Sequence, residues 1–138
     1  FVIHMSAASL VFADNDGDSS SGFSGTLALA DCRQSRHDVI RRVWDCLETL
    51  GTHRMKPRQD LVSGGFCLAE PGESYLIYLD TSPASVDLKL EGGPFRVTWI
   101  DARHPDKRHD GGMTRDGRSL SPPAGGDDWL LRLAREHM

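Results

Sequence analysis

The feature of this sequence that most constrains its fold is a series of short alternating apolar segments between residues 61 and 133, separated by Gly and Pro. FCLAEPGESYLIYLD holds two apolar runs joined at Pro71-Gly72, which is a strong turn signal. SVDLKLEGGPFRVTW holds two more, separated by Gly92-Gly93-Pro94, and DWLLRLA alternates in the same way. Such alternation belongs to antiparallel strands with one buried face. The sequence therefore predicts a mainly β chain folded as an antiparallel β-sandwich of roughly seven to nine strands.

One amphipathic helix is predicted ahead of these strands, over residues 36–50. Ser35 can act as its N-cap, with Asp38 at the capping-box spacing, and Gly51 stands where a left-handed stop is expected. The apolar residues that share one helical face are Val39, Ile40, Val43, Trp44, Leu47 and Leu50. We expect this face, including Trp44, to pack on the sheet.

Length and charge limit the domain organisation that the chain can have and the classes of partner that it can bind. We divide it into an N-terminal strand, loop and helix segment over residues 1–60, with short strands predicted in SLVFAD and FSGTLALA, and a β module over residues 61–138. A chain of 138 residues is too short for a (β/α)₈ barrel, which needs roughly 200. The formal net charge of −4 lacks the basic excess of a nucleic-acid binder. No apolar run approaches the roughly 18 residues of a membrane helix, so we expect a soluble chain.

No pattern in the sequence indicates a catalytic site, and we expect neither enzymatic activity nor a cofactor. G-x-S-x-G, Gly-rich phosphate loops and H-E-x-x-H are all absent from the sequence. The three cysteines are widely spaced and are expected to be buried thiols rather than zinc ligands. Asp14, Asp16 and Asp18 form a weak candidate calcium site, but an EF-hand frame fails at Ser19 and Gly25. A solvated turn is the alternative for this acidic stretch.

Aromatic rings are the remaining candidates for ligand binding, since sugar-binding domains present exposed rings with polar groups at their edges. Tyr75 and Tyr78 fall on opposite faces of one predicted strand, so one of them can face outward. Asp101 and Arg103 lie in a charged turn and complete the candidate ligand site. The tryptophans are in phase with apolar neighbours and are expected in the core.

The order of these motifs also resembles a domain family. LVSGGFCLAEPGESYLIYLD, VDLKLEGGPFRVTWIDAR and LSPPAGGDDWLLRL are similar to the C-terminal β-sandwich domain, named for collagen binding, that follows the barrel of apiosidase-like and related glycoside-hydrolase-like proteins. The likeness extends over about half the chain. In the family, Pro-Arg and then Thr-Gly usually follow the tryptophan, whereas this chain has Ala102-Arg103-His104-Pro105.

The resemblance implies a non-catalytic accessory domain of a carbohydrate-active protein, with a structural role or a role in binding polysaccharide or matrix protein. Its partners would be a polysaccharide or a glycoside-hydrolase barrel, its location extracellular or periplasmic, and residues 1–60 a remnant of the barrel edge. Two alternatives remain: a fragment or relative of a glycoside hydrolase whose activity resides in a missing barrel, and a stand-alone carbohydrate-binding module. Two tyrosines are few for the long aromatic trough that a collagen helix requires.

Overall fold

A computed structural model describes residues 34–80, 85–124 and 128–136, with residues 34–40 described as helical backbone only. The predicted strands at SLVFAD and FSGTLALA lie outside these ranges. The elements are helix α1 (Gln34–Thr49) and strands β1 (Lys56–Pro57), β2 (Phe66–Glu70), β3 (Ser74–Leu79), β4 (Phe95–Asp101), β5 (Arg108–Thr114) and β6 (Trp129–Arg135). The prediction of a mainly β fold with one N-terminal helix is confirmed.

All six strands belong to one antiparallel sheet with the order β1-β2-β3-β6-β4-β5. The hairpin predicted around Pro71-Gly72 is formed by β2 and β3, which places Cys67 opposite Ile77. β6 is the last strand in the sequence but lies inside the sheet, between β3 and β4. The C-terminal strand therefore joins the two hairpins into a single structure.

Three irregular segments, rather than a second sheet, cover one face of the six-stranded sheet. They comprise residues 61–63, 86–89 and 117–120, and we call them the covering layer. Two isolated antiparallel bridges join them, Val62–Leu88 and Val86–Leu120. Gly117 and Ser119 have φ angles of 61° and 50°, and such values interrupt an extended ladder. For this reason the described residues do not contain the second sheet that a sandwich requires, and the predicted strand at 86–90 forms only bridges.

The two faces of the sheet have separate hydrophobic clusters. Under the covering layer lie the odd-numbered side chains of β2, β3, β4 and β6, together with residues of the layer itself: Leu61, Cys67, Ala69, Tyr75, Ile77, Leu79, Val86, Leu88, Phe95, Val97, Trp99, Trp129, Leu131 and Leu133. Under α1 lie Cys46, Leu47, Leu50, Met55, Leu68, Leu76, Ile100 and Leu130. The helix thus shares its core with the β module, and the predicted burial of Trp99 and Trp129 is confirmed.

The position of Trp44 corrects one prediction about α1. The helix faces the sheet with Val43, Cys46, Leu47 and Leu50, whereas the side chain of Trp44 is 41% exposed. At 3.6 residues per turn, Trp44 lies about 100° around the helix from Val43, outside the buried stripe. The predicted burial of Trp44 is therefore wrong.

One end of α1 differs from the prediction, and the other end agrees with it. α1 begins at Gln34, so Ser35 lies inside its first turn and is not the N-cap. Its other end is as predicted, because Gly51 has a left-handed φ of 66° directly after the last turn.

Strand β5 is not among the strands predicted from the sequence, since RHDGGMT combines charges with two glycines and has no apolar alternation. It forms one edge of the sheet, and nearly all its side chains face solvent. Gly111 is required by close packing, because a Cβ atom there would lie 2.6 Å from a methyl group of Val97.

Candidate functional site

Two stacked aromatic rings form an open surface at the beginning of β2 and the end of β3. Phe66 and Tyr78 are directly opposite each other in the hairpin. Their ring centroids are 6.4 Å apart and the ring planes are 23° from parallel. Phe66 is 38% exposed, and Tyr78 is half-buried against the cluster under α1. We call this pair the aromatic platform.

The chain that enters β2 fixes the position of Phe66. Gly65 has a φ of 79°, and a Cβ atom on it would lie 2.5 Å from the carbonyl oxygen of Tyr78. The side-chain amide of Gln59 donates a hydrogen bond to the Gly65 carbonyl and accepts one from the backbone N–H of Cys67. Because glycine permits both the positive φ and the close approach, the backbone reaches β3 closely enough for Phe66 to stack on Tyr78.

Charged groups on neighbouring segments influence Tyr78. Arg103 Nε lies 3.2 Å from Asp128 Oδ2, and the backbone N–H of Ala102 donates to the Asp128 carbonyl. Asp80 is exposed and follows the last residue of β3. The pKa of Tyr78 is raised, first by burial and then by the carboxylates of Asp128 and Asp80, with Arg103 acting in the opposite direction. The ionisation of the Tyr78 phenol is therefore coupled to these charged groups.

Asp101 supports the turn that presents Arg103. One of its carboxylate oxygens accepts hydrogen bonds from the backbone N–H groups of Arg103, at 2.9 Å, and His104, at 3.3 Å. Aspartate commonly closes turns in this way. We therefore assign Asp101 a positioning role at the edge of the platform, while Arg103 and Asp128 carry its polar groups.

Tyr75 is placed away from this surface, in the cluster under the covering layer. Its ring is completely buried and meets Phe95 edge to face at 5.4 Å. Its hydroxyl accepts hydrogen bonds from the backbone N–H groups of Gly72, at 3.1 Å, and Glu91, at 3.0 Å. Tyr75 thus joins the β2–β3 turn to the loop before β4, and its ring has no exposed surface for a ligand.

The structure therefore brings together three of the four residues predicted for ligand binding, namely Tyr78, Asp101 and Arg103. Sequence reasoning missed Phe66, although a hairpin that turns at Pro71-Gly72 places residue 66 opposite residue 78. The weak calcium candidates Asp14, Asp16 and Asp18 lie outside the described residues. Within the described ranges, no group of three or more His, Cys, Asp or Glu side chains is arranged to hold a metal ion.

Two grooves elsewhere have different linings. One, of ≈ 330 Å³, lies on the covering layer, and its polar residues are Asp60, Ser63, Asp87, Lys89, Arg118 and Ser119. The other, of ≈ 270 Å³, lies between α1 and the turn after β4, and its lining includes Arg42, Asp45, Cys46, Thr49, Asp106 and Arg108. Burial raises the pKa of the Cys46 thiol, which reduces its thiolate fraction at neutral pH. Neither of these linings contains an aromatic ring, whereas the platform combines rings with charges.

Comparison with protein-family models and with curated proteins gives no match to this chain. The helix in the described part of the chain does not have the length and apolar character needed to cross a membrane. The described residues thus form a mainly β fold, and the aromatic platform is its candidate ligand surface.

Proposed function

We propose that this chain is a non-catalytic accessory domain of a carbohydrate-active, glycoside-hydrolase-like protein and that the aromatic platform binds polysaccharide. The observation that carries the proposal is the stacked, partly exposed Phe66–Tyr78 pair with Arg103 and Asp128 at its edge. Sugar rings pack their apolar C–H faces on aromatic rings, while their hydroxyl groups bind polar side chains at the ring edges. The order of the sequence motifs supports a β module that accompanies a barrel.

The hydrogen bonds of Asp101 and the ion pair of Asp128, at the edge of the platform, support a binding role rather than a catalytic one. Glycoside hydrolysis uses two carboxyl groups about 5 to 10 Å apart on either side of the scissile bond. Asp101 already accepts two backbone N–H groups, and Asp128 already pairs with Arg103. Both side chains therefore support the local structure and hold Arg103 beside the platform.

We expect the affinity for a single glycan chain to be weak, with a Kd of about 0.1 to 1 mM. Two rings offer little contact area, and binding must also offset the loss of translational and rotational freedom. Affinity electrophoresis suits this range, because a soluble polysaccharide in the gel retards a protein that binds it weakly. A suitable panel is hydroxyethyl cellulose, xylan, mannan and galactan.

The first prediction is that Tyr78→Ala and Phe66→Ala each reduce retardation on the glycan that binds, with a loss of affinity of about tenfold, since stacking depends on the ring face. Met113→Ala is the matched control, because Met113 is 44% exposed on β5, at the edge of the sheet beyond β4. Tyr78→Phe retains the ring and separates stacking from the contribution of the hydroxyl. Melting temperatures of all four variants show whether each remains folded.

Three results would contradict the proposal. If no polysaccharide in the panel retards the wild-type protein, or if Met113→Ala weakens binding as much as Tyr78→Ala, the platform is not a glycan site. If the purified chain hydrolyses a glycan and Asp101→Asn abolishes the turnover, the domain is catalytic.

A further inference from the structure

The groove of ≈ 330 Å³ on the covering layer, which we call the covering-layer groove, contains two cations that the fold itself does not use. Lys89 and Arg118 line this groove, and both are exposed. Within the described ranges, neither side chain forms an ion pair or a hydrogen bond. The carboxylate of Asp60, also in the lining, is held by Arg58 through two hydrogen bonds of 2.9 Å. An anionic group in the groove would therefore meet two charged groups with free donors.

Hydroxyl groups and a carboxylate oxygen line the same groove. The Ser63 hydroxyl accepts a hydrogen bond of 2.9 Å from the backbone N–H of Asp87, which leaves its own proton free to be donated. The Ser119 hydroxyl has no hydrogen bond in the described part of the chain. Asp87 Oδ1 accepts the backbone N–H of Ser119, and no described group donates to Oδ2. The groove therefore offers the donors and acceptors that sugar hydroxyl groups require.

Backbone contacts hold these side chains in place independently of a ligand. The bridges Val62–Leu88 and Val86–Leu120 join the three segments that carry them. Ser119 is the single non-glycine residue with a positive φ, 50°, in the described part of the chain. Residues held in this strained conformation are concentrated at binding sites. A site that is rigid before binding loses less conformational freedom when its ligand binds.

We propose that the covering-layer groove is a second ligand site, which binds a sugar that carries a carboxylate, as a uronic acid does. Its carboxylate would pair with Lys89 and Arg118, since a guanidinium group can bind both carboxylate oxygens at once. Its hydroxyl groups would bind Ser63, Ser119 and Asp87. The volume lies at the lower end of the range for small-molecule sites, about 300 to 1,000 Å³, and suits a single sugar ring. This inference goes beyond the proposed function and does not depend on the aromatic platform.

Three probes separate the contribution of the carboxylate from that of the hydroxyl groups. Galacturonate has both, methyl galactoside has hydroxyl groups alone, and acetate has the carboxylate alone. NMR titration of the ¹⁵N-labelled protein reports binding at the backbone amides of Ser63, Lys89 and Ser119. We expect galacturonate to shift these amides and to bind about fivefold more tightly than either other probe in about 0.02 M salt. The difference should decrease in about 1 M salt, where the Debye length is about 3 Å.

Variants of the groove test which groups bind the ligand. Arg118→Gln and Lys89→Gln should each weaken galacturonate binding by about fivefold and leave the melting temperature unchanged, because both side chains are exposed. Arg41→Gln is the matched control, since it removes the same charge from an exposed position on α1, which packs on the opposite face of the sheet. Ser119→Gly removes a hydroxyl group and relieves the backbone strain, so it should weaken binding without lowering the melting temperature.

The outcomes separate this inference from the proposed function. If galacturonate does not bind, if methyl galactoside binds equally well, or if Arg41→Gln weakens binding as much as Arg118→Gln, the groove is not a site for acidic sugars. If Tyr78→Ala abolishes galacturonate binding and Arg118→Gln does not, the sugar binds at the platform and this inference alone is wrong. If no polysaccharide retards the protein while galacturonate still shifts the groove amides, the platform proposal is wrong and this inference stands.

Discussion

Tyr75 and Tyr78 lie on opposite faces of β3, and the surroundings of each ring determine its role. The hydroxyl of Tyr75 accepts two backbone N–H groups inside the fold, so its polar atom is satisfied in the core. Leaving such buried donors unpaired costs about 1 to 3 kcal/mol. Tyr78 instead stacks on Phe66 at the surface, beside charged groups. Of these two tyrosines, Tyr75 therefore stabilises the fold and Tyr78 forms part of the candidate site.

Two of the tryptophans, Trp99 and Trp44, provide a test of how burial of a single residue affects stability. Trp99 is buried and meets Trp129 edge to face at 6.3 Å, whereas Trp44 is 41% exposed. We expect Trp99→Ala to lower the free energy of unfolding by about 3 to 5 kcal/mol, because it leaves a large cavity. Trp44→Ala should cost less than about 1 kcal/mol, as exposed substitutions usually do.

Urea denaturation of the two tryptophan variants and of the wild-type protein measures both values. Equal losses of stability in the two variants would show that Trp44 contributes to the core as much as Trp99. A small loss in Trp44→Ala alone would agree with the exposure of this ring.

At the scale of elements, the β2–β3 hairpin depends on the approach of Gly65 to β3. Gly65→Ala would place a methyl group 2.5 Å from the Tyr78 carbonyl oxygen and would strain a backbone with a φ of 79°. We expect a loss of about 2 to 4 kcal/mol in the free energy of unfolding, since clash and backbone strain add. Binding at the platform should weaken as well, because Phe66 follows directly.

The neighbouring glycine offers a control for this prediction. A Cβ atom on Gly64 would meet no other atom within 4 Å, and its φ is not positive. Gly64→Ala should therefore change the free energy of unfolding by no more than about 0.5 kcal/mol. If the two alanine variants unfold at the same urea concentration, the close approach of Gly65 does not determine the hairpin.

The elements also show which parts of the fold could be predicted from the sequence. β2, β3, β4 and β6 are rich in apolar residues because one face packs under the covering layer and part of the other packs under α1. Gly51 ends α1 where its backbone preference requires. β5 has no such alternation, because an edge strand with exposed faces is not required to have apolar residues. Phe66 and Tyr78 meet only through pairing across strands, so their contact depends on register rather than on local pattern.

At the scale of the whole molecule, the sheet is closed on one face by α1 and on the other by the covering layer. Cys67 belongs to the cluster under that layer and is 2% exposed. Burial is the main cause that raises the pKa of its thiol to about 12, with Asp60 adding to the effect and Arg58 opposing it. The thiol therefore stays protonated in the folded protein at pH values where an unfolded chain has lost the proton.

This difference links the titration of one thiol to global stability. Because the folded pKa is higher than the unfolded one, the stabilisation is fully present below about pH 8.5 and is lost as the pH rises toward 12. We expect the wild-type protein to lose about 2 kcal/mol more than Cys67→Ala between about pH 8 and about pH 10.5, since each unit of difference in pKa corresponds to about 1.4 kcal/mol. Urea denaturation at a series of pH values in this range measures the slopes.

A matched variant separates the proton effect from the loss of packing. Ile77 lies directly opposite Cys67 in the same cluster, and Ile77→Val removes one methylene group without changing any titratable side chain. It should lower stability by about 0.5 to 1.5 kcal/mol at every pH and keep the slope of the wild-type protein. Parallel pH profiles for the wild-type protein and Cys67→Ala would mean that the Cys67 thiol ionises as readily in the folded chain as in the unfolded one. The cluster under the covering layer would then be open to solvent.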